Sequence, residues 1–222
     1  MVISFLFIGL IILGIFILIT RNATPSRKAD DAVTIGFGIQ MTEEEIELER
    51  ESDAEIMKLL EDSVVKSGYF RRENIPELMG TLRKGSAPFA RVNTKAAFDG
   101  DAYLAVQEKR MLGLNTRMKY SKKFIGCFHP ASFKTIEPKA TLECMHLDAF
   151  HRVSRQKELT KLKKLGFIDQ VKISPVGDSR DCMKIQKLKK IYSLNEVPEL
   201  PLAGCDSPYC RCMYVPILSE DI

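Results

Sequence analysis

The chain has 222 residues, a net charge of +4 and 45% hydrophobic residues, a length that suits one domain or two small ones around a real core. It has no internal repeat and no low-complexity tract. Sequences of the GxSxG, HExxH, Walker or dinucleotide-binding type are absent, so the common hydrolase, metalloprotease and nucleotide-binding signatures are excluded.

The charge is unevenly spread. Residues 42–62 carry ten acids against Arg50 and Lys58, and residues 1–41 are close to neutral, which leaves the remainder of the chain strongly basic. A basic body with an acidic arm either folds on itself or meets an anionic partner, lipid or protein. Nucleic acid is disfavoured, because no recognised motif or aromatic interleaving accompanies the basic residues.

From Val2 to Thr20 there is no charged residue. Nineteen residues of helix span roughly 28 Å, close to the hydrocarbon thickness of a bilayer. No basic residue precedes the run and no small-residue cleavage site follows it, which favours an uncleaved anchor over a signal peptide. Arg21, Arg27 and Lys28 follow it. The positive-inside rule then implies a single-pass protein of the cell inner membrane with a cytoplasmic C-terminal domain. Residues 1–20 are therefore read as a transmembrane anchor and 21–41 as a juxtamembrane linker, with a short strand over Thr34–Ile39.

Residues 42–150 read as a helical, α+β domain. Thr42 and Glu45 have capping-box spacing at the start of a helix that ends near Gly68. A second helix fits Ile75–Arg83, with Pro76 in its first turn, and a third fits Ala96–Leu112. Lys123–His129 and Thr141–Leu147 read as short strands. On such strands Cys127 and His129 share one face, as do Cys144 and His146, so paired strands would bring the four together as a second site. Asp148 and His151 fall on one turn as a candidate acid–base pair.

Residues 151–222 read as a basic helix, His151–Leu165, followed by a strand, Phe167–Ser174, and a cysteine-rich module. Its cysteines are Cys182, Cys205, Cys210 and Cys212, and Gly204 and Pro208 permit tight turns between them. Four thiols make a complete tetrahedral set for structural zinc in a reducing compartment. Free thiols, disulfides and redox chemistry remain alternatives.

The stretch Leu162–Ile217 resembles a cysteine-rich C-terminal element of uncharacterised bacterial proteins and, distantly, the cysteine tail of phage minor-capsid head-morphogenesis proteins. The residues that carry the resemblance include Leu165-Gly166, Asp181-Cys182, Pro198 to Pro201 and Gly204-Cys205 through Pro216. Ile185 stands where that pattern has a fifth cysteine. The resemblance implies a small metal-binding or structural module and no activity. The expectation is thus an α+β, mainly helical domain on one N-terminal transmembrane helix. It would act as a membrane-tethered scaffold or interaction protein with a zinc-organised C-terminal module. The alternative is an enzyme, either a thiol redox protein or a hydrolase using the central Cys, His and Asp residues.

Overall fold

The structure, a computed structural model, describes residues 42–84, 94–100, 102–178, 181–188 and 191–218, together with strand residues 34–35 and 39–40. The chain divides into two units, Met1–Ile46 and Glu47–Ile222. In the first, β1 (Thr34–Ile35) and β2 (Ile39–Gln40) pair antiparallel with Ile35 opposite Ile39, two short strands where one was expected. Thr42 and Glu45 form the capping box: the Glu45 carboxylate accepts from Thr42 N at 2.8 Å, and Thr42 Oγ1 accepts from Glu45 N at 3.2 Å. They start α1 (Glu43–Ser67), whose acidic first turn suits the positive end of the helix dipole.

The helix ends at Gly68, where a φ of +68° turns the chain into a left-handed conformation open to glycine. Residues 69–71 then run against 127–129: His129 N donates to Tyr69 O at 2.9 Å and Arg71 N to Cys127 O at 2.8 Å. A 3₁₀ turn, Arg72–Asn74, leads into α2 (Ile75–Lys84). The single helix expected over 96–112 is two short ones, α3 (Thr94–Phe98) and α4 (Val106–Met111). The segment between them pairs with another stretch of chain: Leu104 N donates to Tyr120 O at 3.0 Å and Lys122 N to Ala102 O at 2.8 Å. A continuous helix would forfeit both bonds.

The two strands expected in the middle of the chain are helices. Ser121 Oγ accepts from Phe124 N at 3.2 Å and caps α5 (Lys122–Gly126). After a 3₁₀ turn, Pro130–Lys134, the Glu137 carboxylate accepts from Ala140 N at 2.7 Å, Pro138 fills the first turn, and α6 runs Pro138–Leu165. The basic helix expected from His151 is the second half of α6. Gly166, with a φ of +70°, ends it.

The principal core lies between α1, α2, α3, α5 and the first half of α6. Leu60, Val64, Leu82, Tyr120 and Leu142 are fully buried there. A chain of ring contacts, Phe98–Phe124–Phe128–Phe70, crosses it with centroids 4.3–5.1 Å apart. Beyond α6 the chain forms an antiparallel sheet, β3 (Gln170–Ser174) flanked by β4 (Ile191–Ser193) and β5 (Met213–Ile217). Val171 and Ile173 alternate inward as a half-buried strand requires. Val171 packs with Leu162, Ile168 and Leu194, and Ile173 with the cysteines and Tyr214.

The membrane expectation is corrected. Among the described residues no helix is long and apolar enough to cross a membrane. The two long helices, α1 and α6, carry a charged residue on nearly every turn and bury apolar residues in the core, the pattern of amphipathic helices rather than of helices apolar all round. The single-pass architecture, the inner-membrane placement and the cytoplasmic orientation of the C-terminal domain therefore have no support in the fold. The span expected at residues 1–20 and most of the linker lie outside the described residues.

A candidate thiol cluster

Each of the four C-terminal cysteines sits on a short irregular segment held by polar contacts. Cys182 follows a turn in which the Asp181 carboxylate accepts from Gly177 N at 2.6 Å and Asp178 N at 3.1 Å. Gly177 has a φ of +90°, so the turn suits glycine there. Cys205 N donates to Leu202 O at 2.9 Å, closing the turn at Gly204. Cys210 and Cys212 flank Arg211, whose guanidinium reaches back to Asp178 at 2.9 Å and to Asp181 at 3.5 Å. That ion pair ties the Cys210–Cys212 segment to the turn carrying Cys182.

The four thiols meet. Cys182, Cys210 and Cys212 are buried in one cluster and Cys205 packs against it. The charge state of Cys205 responds to Cys182 and Cys210, and that of Cys210 to Cys212 and Cys205. Cys182 lies close enough to Cys212 to act on its charge. None is in a disulfide. Three chain segments, separated by up to thirty positions in sequence, thus deliver their sulfurs to one place.

The cluster has a cationic wall. Arg155, on α6, is 6% exposed. Its guanidinium donates to Cys210 O at 2.8 Å, Cys212 O at 3.4 Å and Leu200 O at 3.5 Å. Leu200 is held in turn by Tyr214, whose hydroxyl accepts from Leu200 N at 3.1 Å and donates to Pro198 O at 3.0 Å.

Protons distribute unequally over the thiols. Cys210 is held down at about 6, first by the Cys212 side-chain hydrogen bond and then by the Cys212 N–H and the Arg155 charge, against the opposing effect of burial. The same hydrogen bond, followed by burial, raises Cys212. Burial, and then Cys182, push Cys205 up to about 11. The arrangement favours a thiolate at Cys210 beside Cys205 and Cys212, whose thiols are raised, as expected when like charges compete for one site.

The other expected constellation does not assemble. Cys127 caps the C-terminus of α5 and His129 precedes the 3₁₀ turn, while Cys144 and His146 are both on α6. Residues two apart on a helix do not share a face, so the geometry that motivated a second site is lost. Burial raises Cys127 to about 11 and also raises Cys144, which leaves neither as a ready nucleophile. Asp148 accepts from Arg152 Nε at 2.7 Å, and His151 stacks on Tyr209 with centroids 5.9 Å apart.

The zinc expected at Cys182, Cys205, Cys210 and Cys212 has no direct support in the fold. Among the described residues no group of three or more His, Cys, Asp or Glu is arranged to hold a metal ion. What stands at the expected positions is a cluster of thiols packed together. Arg155 was missed in the sequence, although a signal was there: it lies four residues before Leu159 and seven before Leu162, on the apolar stripe of its helix, where a charged side chain has to find buried partners. Comparison with protein-family models, with curated proteins and with solved structures finds no match to this chain.

Proposed function

We propose that this chain is a scaffold or interaction protein whose C-terminal module is organised by one zinc ion taken up by Cys182, Cys205, Cys210 and Cys212. The observation that carries the reading is the convergence of these four thiols in one buried cluster. A core built for packing alone has no need of four sulfurs and a buried guanidinium. A zinc–sulfur bond of about 2.3 Å sets the edge of a thiolate tetrahedron at roughly 3.8 Å, a spacing the clustered thiols would adopt around the ion. Metal entry would displace the thiol protons and require the side chains to close on the ion. Cys210 would enter as the thiolate, and Arg155 and Arg211 would offset the charge of the tetrathiolate. The metal's binding energy would then stabilise a module with little regular structure of its own. The exposed Lys161, Lys163 and Lys164 on α6 favour contact with an anionic partner.

The lowered pKa of Cys210 beside Cys212 favours a second reading, a thiol redox pair. Burial weighs against it, because these residues are only 3% and 4% exposed and thiol exchange needs access to the attacked sulfur.

Cobalt(II) titration of the reduced, metal-free chain separates the two. The expected result is saturation at about one equivalent, with the intense visible bands of a tetrahedral cobalt thiolate, reversed by zinc. In Cys210→Ser the charge-transfer band should weaken and affinity should fall at least tenfold, since one of four thiolate bonds is lost. A wild-type chain that yields no tetrahedral spectrum would overturn the proposal.

A further inference from the structure

Between Ala102 and Lys122 the chain leaves the core and returns to it. The stem is the pairing of Leu104 with Tyr120 and of Ala102 with Lys122, with a bridge between Tyr103 and Ser121. Residues 105–119, α4 and the turn after it, form a compact surface loop whose ends meet. The loop is fastened from inside. Lys109 is buried, and its ammonium donates to Thr116 O at 3.0 Å and to Met118 O at 2.9 Å. Leu114 N donates to Lys109 O at 2.8 Å, and the Asn115 side chain accepts from Arg117 N at 3.0 Å. Opening the loop would leave a buried charge without acceptors, so the backbone keeps this shape.

That shape holds apolar side chains out in water. Met111 is 75% exposed, and Tyr103, Val106 and Met118 are exposed with it. Arg110, Arg117 and Lys119 are exposed on the same loop. Glu108 is the one acid between Ala102 and Lys122, and its carboxylate is taken by Ala105 N at 2.6 Å and Lys122 Nζ at 2.8 Å. The three exposed cations have no ion-pair partner among the described residues. Exposed apolar residues gathered on one rigid loop mark an interaction surface, and the unpaired cations call for an anionic partner. A second copy of the loop would set like charge against like. Single-stranded nucleic acid would need several rings to stack on, and Tyr103 is the one exposed aromatic residue here. A lipid leaflet offers many anionic headgroups at once and yields around a protruding apolar tip.

We propose that loop 105–119 docks on the surface of an anionic lipid bilayer, with Val106, Met111 and Met118 entering the headgroup boundary and Arg110, Arg117 and Lys119 on the lipid phosphates and carboxylates. The contact is peripheral and needs no membrane-crossing helix. It does not rest on the metal reading, because the loop is rooted in the aromatic core through Leu114 and Tyr120.

The chain contains no tryptophan, so Met111→Trp places a single fluorescent reporter at the loop tip. The full-length variant is mixed with vesicles of phosphatidylcholine alone or with about 30% phosphatidylserine, an anionic surface of the kind that draws basic segments. The expected result is a blue shift of the emission, and quenching by brominated acyl chains, with the anionic vesicles only. Arg110→Glu with Arg117→Glu in the same background, its fold checked by circular dichroism, should weaken that response at least about tenfold, since two near-surface bases are reversed. A Val65→Trp reporter, on the exposed side of α1, should keep its solvent-like emission. A Met111→Trp spectrum that anionic vesicles leave unshifted, an equal shift with neutral vesicles, or an equal response from Val65→Trp would overturn the proposal. An unshifted spectrum that moves instead on addition of poly-glutamate would assign the loop to an acidic protein partner and overturn it too.

Discussion

At the scale of single residues, Arg155 and Cys210 are the centre of the C-terminal half. Arg155 joins a long helix to two loops through three carbonyls. Arg155→Met should destabilise the chain by on the order of 3 kcal/mol, because those carbonyls are left buried without donors, as read by urea denaturation. The thiols make a further prediction for the reduced, metal-free chain. The Cys210 pKa is depressed from an ordinary 9.0 to about 6. Its contribution to stability is full above pH 9 and is lost as pH falls through 6. Cys205 is raised from 9.0 to about 11, so its contribution is full below pH 9 and is lost as pH rises through 11. Stability should therefore climb from pH 6 toward 9 and fall beyond it. Urea midpoints measured from pH 5 to 10 check this, and a flat profile would show that the thiols do not share protons in this way.

At the scale of elements, the caps explain which segments were readable. The Thr42–Glu45 box announces α1 in the sequence and is formed in the fold. The cap of α6 is less visible. Glu137-Pro138 resembles a loop signal, yet the Glu137 carboxylate caps Ala140 and also accepts from the buried Tyr120 hydroxyl at 2.6 Å. Glu137→Ala should cost roughly 1–3 kcal/mol, from the lost cap and the orphaned hydroxyl, measured by thermal or urea denaturation. A value near zero would mean that water replaces both bonds. The stretches 123–129 and 141–147 were read as strands because their apolar and aromatic residues are dense and short runs do not reveal a period. What decides is tertiary: Ser121 caps a single helical turn that buries Phe124 and Ile125, and beyond Gly126 the chain does extend, with Phe128 bridged to Phe70. Leu142, His146 and Ala149 likewise fall on one buried face of α6. The break in the expected third helix was also unreadable, since it depends on pairing with residues 120–122 far along the chain.

At the scale of the whole molecule, α6 serves two cores. Its first half packs in the aromatic core and its second half carries the sheet and the thiol cluster. Removal of metal, or Cys210→Ser, should loosen residues 180–217 while amide exchange around Leu60 and Tyr120 stays slow; equal loss of protection in both cores would show that they unfold as one. The four cysteines were legible as a set because thiols so close in sequence at the C-terminus are unusual enough to ask for one explanation. Arg155 was not, because its partners lie 45–57 positions away. The central claim is that the thiol cluster is a zinc site, and its most direct test is the zinc content of the full-length reduced chain, purified without added metal, with thiols counted before and after chelation. The account predicts about one zinc per chain and four thiols that become reactive only when a chelator is added. A chain free of zinc, with a thiol count that chelation leaves unchanged, would contradict it.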